Sequence, residues 1–337
     1  GNYYELEEAE RGMAFEAIET LATPFSYHDK EDLLRRKRIN EYLLEKVRDK
    51  EERVNILNEE GMIFYLFGEL DKAREYFDNA LKLSEELGKK EGIATDLGNI
   101  GSVYQTKGEL DEALEYYEKA LKLDEELGRN EGIAEDLENI GNVYRIKGEL
   151  NDALGYYGMA LKLNEELGRK EGIARVLVNK GIVYRIRLEL DKALKYYEEA
   201  LKLDKELGRK EGIAAVIGNI GVVYGKKGEF DKALEYFENA LRLEEELGRK
   251  EGIAKDLVNI GIVYQTKGEF GKALEYYEKA LRIFKDMGNI GEIARVSMNI
   301  SAILVQKGDK TRALDYYLKA KEAKRTFTGE LYFWRDK

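Results

Sequence analysis

The chain repeats itself every 40 residues, and that period constrains its fold more than any other feature. The string GNIGSVYQTKGELDEALEYYEKALKLDEELG beginning at Gly98 returns with conservative changes at Glu138, Val178, Gly218 and Val258. A weaker copy starts at Asn58 and another at Met298. Self-similarity at a fixed period of this size means one supersecondary unit stacked on copies of itself, with function on a surface the copies share. Seven units, about 51–90, 91–130, 131–170, 171–210, 211–250, 251–290 and 291–326, take up most of the 337 residues. The length alone suggests about two globular domains; the repeat replaces that expectation with one elongated array.

Residues 91–128 illustrate the unit. Ile93, Ala94, Leu97, Ile100, Gly101 and Tyr104 form one apolar stripe at helical period. Gly108 stands where a helix commonly ends in the left-handed conformation, and Asp111 is expected to cap a second helix. That helix carries Ala113, Tyr116, Tyr117, Ala120, Leu123 and Leu127 on one face and stops at Gly128. Neither helix can bury its stripe alone, so the expected fold is all-α, built of stacked antiparallel helix pairs. Gly101, Gly141, Gly181, Gly221 and Gly261 recur inside the first helix, where each costs about 1 kcal/mol relative to Ala. Their shared register implies a neighbouring helix too near for a Cβ atom.

These residues also carry a family resemblance. Leu97, Ile100, Gly101, Tyr104, Ala113, Tyr117 and Ala120 match the tetratricopeptide spacing. The usual repeat is shorter and ends near a Pro; here Glu125 takes that place and the helix runs on to Leu127. The long form resembles Pins-type adaptors, kinesin light chains and Rap-type peptide sensors. HEAT repeats are similar in length, but the Gly, Tyr, Ala, Ala register favours the tetratricopeptide reading. The resemblance covers residues 51–326 and implies a right-handed α-solenoid superhelix whose first helices line a concave, peptide-binding groove.

The ends depart from the pattern. Residues 1–50 read as a degenerate capping pair, with helices expected over 3–22 and 31–48, since solenoid ends need more polar units. In the last repeat Lys321 and Ala323 replace the apolar residues seen at Leu281 and Ile283. The tail TFTGELYFWRDK gathers Phe327, Leu331, Tyr332, Phe333 and Trp334. It reads either as a cover for the final helix or as a docking segment for the groove, for a neighbouring molecule or for a downstream domain.

The wall-facing positions of the type unit are 95, 98, 99, 102, 105 and 106. One register scarcely varies: Asn99, Asn139, Asn179, Asn219, Asn259 and Asn299, with Glu59 in the first unit. Asparagine is a mediocre helix former, so propensity does not explain the row. Its amide both donates and accepts, which suits the main chain of an extended peptide, and tetratricopeptide proteins that bind peptides use Asn at this register. The alternative is that each amide bonds a neighbouring helix and stabilises the stack; both readings stay open. Around the row, Arg145, Arg175, Arg185, Lys226, Lys255 and Arg295, with Thr95, Gln105 and Gln265, face only Glu135 and Glu138. That balance points to an acidic or carboxylate-bearing peptide, against the plainer reading of solvated charge. Val178, Ile182, Val222, Val258 and Ile262 add an apolar strip.

Other chemistry is lacking. There is no cysteine, and His28 is the only histidine, which leaves no disulfide, thiolate or triad and no metal or cofactor expectation. GNIGVVYGKKGE lacks the phosphate-loop spacing. The net charge of −11 argues against nucleic acid and anionic membrane as partners, and no apolar run is long enough to span a bilayer. The acidic start GNYYELEEAE has no signal-peptide core. The expected function is therefore a non-catalytic, cytoplasmic protein-interaction scaffold. A regulatory peptide sensor and a self-assembling structural protein are the alternatives.

Overall fold

The computed structural model describes residues 30–335, and every regular element among them is an α-helix. The helix expected over 3–22, together with Pro24 and His28, lies outside the described residues, as do the side chains of the 327–337 tail. Contacts divide the chain between Arg169 and Lys170 into two compact units. The first holds α1 (Lys30–Lys46), α2 (Lys50–Leu66), α3 (Leu70–Leu87), α4 (Lys90–Lys107), α5 (Leu110–Leu127), α6 (Asn130–Lys147) and α7 (Leu150–Glu166). The second holds α8 (Lys170–Ile186), α9 (Leu190–Leu207), α10 (Lys210–Lys227), α11 (Phe230–Glu246), α12 (Lys250–Thr266), α13 (Phe270–Met287), α14 (Ile290–Gln306) and α15 (Lys310–Arg335). From α2 onward, consecutive helices pack as pairs, and within each unit each pair packs on the next, an all-α solenoid arrangement. As far as Arg335 the backbone of the tail continues α15.

Glycine sets the helix ends. Gly108 has φ 80° and Gly128 φ 66°, and ten further glycines at equivalent ends are also left-handed. At the first turn Gly108 N–H donates to the Gln105 carbonyl (3.1 Å) and Glu109 N–H to that of Tyr104 (3.0 Å), which satisfies the last carbonyls of α4. Asp111 is not the cap of the second helix. That helix begins at Leu110 after an uncapped Glu109, and Asp111 instead accepts from Lys147 Nζ at 2.7 Å. The same link recurs as Lys107–Asp71, Lys227–Asp191 and Lys267–Asp231, tying a first helix to the second helix of the preceding pair. Such exposed pairs contribute about 0–1 kcal/mol each, so packing carries the stack.

The core follows the expected stripe, with one correction. A Cβ at Gly101 would lie 2.8 Å from Tyr117 Cε1, and one at Gly261 2.7 Å from Tyr277 Cε1. The glycine row therefore admits an aromatic ring from the second helix of its own pair, not a helix backbone. Tyr117, Tyr157, Tyr197 and Tyr277 are almost wholly buried there, beside Ile100, Ile140, Ile220 and Ile260. A second aromatic row stacks between the helices of every pair but the last, where Leu304 replaces the first ring, as in Tyr104 on Tyr116 at 5.2 Å and Tyr184 on Tyr196 at 5.2 Å. At the amino end α1 departs from this pattern: Arg36 pairs with Glu59 of α2 at 2.7 Å, and Asn40 and, on α2, Glu60 are buried polar residues.

Candidate functional site

In each pair the first helix presents the residues assigned to the wall. All six row asparagines are half-buried. In the first unit Asn99 Nδ2 donates to Asn58 Oδ1 (3.2 Å), and Asn58 Nδ2 donates to Asp96 Oδ1 (2.6 Å). That amide thus links neighbouring first helices. In the second unit Asn219 donates to the Ala215 carbonyl of its own helix at 3.0 Å. Asn299 lies beside the Tyr277 hydroxyl, where it helps stabilise the charged form of the phenol.

The charged positions are less basic in effect than their residue types suggest. Lys255 Nζ is paired with Glu251 at 2.6 Å, and Arg295 Nε with Glu292 at 2.9 Å, each one turn earlier on its own helix. Arg175 and Lys226 are exposed, while Arg145 and Arg185 are half-buried. Of the opposing acids, Glu135 pairs with Arg169 at 2.9 Å, and Glu138 is buried rather than wall-facing. Val258 is a core residue; Ile262 is exposed, and Val178, Ile182 and Val222 are half-buried.

The second unit brings several of these side chains together. A pocket of about 650 Å³ between α12 and α14 is lined by Ile262, Gln265, Arg295 and Asn299, with Thr266, Phe270, Tyr277 and Gln306 around them. Its floor is polar and fixed. Burial pushes the Tyr277 hydroxyl up to about 12, so it stays protonated and donates to Gln265 Oε1 at 2.7 Å. The pocket therefore offers amides, a guanidinium and one apolar wall, a set that can hold a carboxylate or a peptide main chain and next to it an apolar side chain. Among the described residues no group of three His, Cys, Asp or Glu could hold a metal ion.

Two features escaped the sequence reading. The core tyrosines reach through to this face with their hydroxyls: Tyr117 donates to Gln105 Oε1 (3.2 Å) and Tyr157 to Asn142 Oδ1 (2.7 Å). The signal was available, because Tyr rather than Phe fills most copies of that buried register. The second is a set of buried acids, Asp96, Asp136 and Asp256, on the flank of the first helices. They read as solvated charge until one notes the glycine four residues earlier at Gly92, Gly132 and Gly252.

Comparisons with known proteins agree with this architecture. A sequence comparison with curated proteins returns no match. Among solved structures, aspartyl phosphate phosphatase F from Bacillus subtilis is similar at 15% identity and TM-score 0.68, covering 96% of this chain and 90% of that one. The apo quorum sensor NprR from B. thuringiensis is similar at 18% identity and TM-score 0.66, with 95% and 92% covered. A Rap protein complexed with Competence and Sporulation Factor is similar at 15% identity and TM-score 0.61, with 95% and 99% covered. Identities this low speak for the fold alone. Among the described residues no helix is long and apolar enough to cross a membrane. Family models described as tetratricopeptide repeat match residues 52–126, 133–206, 212–286 and 258–326. With the helix pairs and the glycine–tyrosine register, these matches make the chain a member of the tetratricopeptide repeat family.

Proposed function

We propose that this chain is a non-catalytic interaction scaffold that takes a peptide segment of a partner protein along the row of first helices. The observation that carries the reading is the α12–α14 pocket, where Arg295, Asn299 and Gln265 surround a fixed tyrosine hydroxyl. Amides recurring at one register suit the repeating main chain of an extended peptide, and the variable positions around them supply specificity. The exposed Lys226, with the half-buried Arg145 and Arg185, favours an acidic segment or a terminal carboxylate, and Ile262 an apolar neighbour in it. That one similar structure is a complex with Competence and Sporulation Factor lends the reading support by analogy.

The test is binding of an acidic peptide pool to the full chain and to an Asn179→Ala, Arg185→Ala variant. Lost binding by a variant that still unfolds cooperatively supports the face as the site; unchanged binding counts against it. A second reading, a regulatory sensor whose repeats shift on binding a peptide, draws on the resemblance to the quorum sensor. A scattering profile that changes on adding the bound peptide favours the sensor, and an unchanged profile favours the static scaffold.

A further inference from the structure

Where one pair meets the next, the last turn of a second helix packs its side chain over a glycine in the following first helix. Four such junctions share this geometry and differ in chemistry. At the first, Ser84 sits over Gly92 and its hydroxyl donates to Asp96 Oδ2 at 2.7 Å. At that junction the two registers are within hydrogen-bond reach of each other. At the α5–α6 junction both registers carry acids: the Asp124 carboxylate fills the space over Gly132, and Asp136 stands one turn further along α6. At α11–α12 the same holds for Glu244 over Gly252, with Asp256 one turn on. At α9–α10 Asp204 over Gly212 faces Val216, a single acid.

All four paired acids are at least nine-tenths buried, and Asp136 Oδ2 has no hydrogen-bond partner among the described residues. Two charged carboxylates cannot share such a space. A single proton between them resolves both the repulsion and the orphaned oxygen, in the way the Ser84 hydroxyl resolves the first junction.

We propose that the α5–α6 and α11–α12 junctions are proton-operated joints, each closed by one proton shared between its two buried acids and loosened when that proton leaves. The groups around them fix the direction. Asp124 is paired with Arg129 of the connecting turn at 3.1 Å, so Asp136 is the member left to hold the proton. Glu135 on α6 and Glu91 on α4 add negative charge, and the Tyr117 hydroxyl of α5 is the remaining titratable neighbour. At the other joint Glu244 faces Arg249 at 3.5 Å, Lys255 lies beside Asp256, and Gly218 of α10 lies against Asp256 Oδ1. Burial, reinforced by the partner acid, pushes Asp136 up to about 8 and Asp256 up to about 7.

Both folded values exceed the unfolded one, so the closed state is fully favoured below the unfolded value near 4. It is lost progressively as pH rises through about 7 to 8. The joints operate whatever the first-helix face binds.

The test pairs the full chain with an Asp136→Asn, Asp256→Asn variant, in which an amide replaces the protonated acid and donates at every pH. The infrared carbonyl stretch of a protonated carboxylic acid should be present at pH 6 in the parent chain, weaken by pH 9, and be reduced in the variant. Hydrogen exchange in α6 and α12, corrected for intrinsic rates, should speed up by about tenfold or more across that range in the parent and not in the variant. The α14 helix, whose junction carries Phe284 and Val296 at the two registers in place of acids, serves as the internal reference. Equal infrared intensity in parent and variant at pH 6, or identical exchange profiles, would overturn the proposal.

Discussion

Leu188 is the residue that breaks the rule its neighbours obey. Its φ is 60°, the one left-handed non-glycine among the described residues, and its side chain is 68% exposed. The turn is otherwise regular, with Leu188 N–H donating to the Arg185 carbonyl and Glu189 N–H to that of Tyr184. A leucine there costs about 1–2 kcal/mol, partly offset by the extra chain entropy a glycine loses on folding. Leu188→Gly should therefore stabilise the chain by up to about 1 kcal/mol; thermal unfolding checks this, and a lowered Tm contradicts it. Glu60 occupies the register that Ile100, Ile140 and Ile260 fill elsewhere, and burial pushes it up to about 7. The folded value lies above the unfolded one, so Glu60 destabilises the fold increasingly from about pH 4.5 to about pH 7. Glu60→Gln should raise stability at pH 8 by roughly 3 kcal/mol at most and change little at pH 4. Denaturant titrations at the two pH values measure the difference, and an equal effect at both would refute the assignment.

At the scale of the helix, the glycine–tyrosine contact governs pairing. Elsewhere in a helix Gly→Ala gains about 1 kcal/mol. Gly261→Ala drives a methyl to within 2.7 Å of the Tyr277 ring and should instead cost about 1–3 kcal/mol. A stabilised Gly261→Ala variant would show that the ring yields freely. The glycines, the apolar stripes and the turns were legible in the sequence because each acts within one helix or its own end. The Asp111 cap was misread because the left-handed glycine already closes the turn, which frees the aspartate for Lys147, 36 residues away. The buried acids were illegible for a related reason. Their burial depends on a missing Cβ one turn earlier and on a side chain from the preceding helix, and neither shows in the residue itself. Of the candidate site, the asparagine register and its variable surround could be read directly. The tyrosine hydroxyls beneath it, and the intrahelical partners of Lys255 and Arg295, could not.

Within each unit the first helices repeat one set of side chains, so on the proposed reading binding should be distributed rather than concentrated. Single losses from the row should be small: Asn259→Ala or Asn299→Ala alone should weaken a bound peptide by about 0.5–1.5 kcal/mol, and the two together by about the sum. Titration calorimetry with the tightest peptide from an acidic pool resolves such differences. A peptide indifferent to both variants would move the site off this row. The most direct measurement labels the face itself. A photoreactive version of that peptide, cross-linked to the full chain and mapped by mass spectrometry, should mark residues of the first helices, α8, α10, α12 and α14 among them. Labels confined to the second helices α9, α11 and α13 would contradict the account.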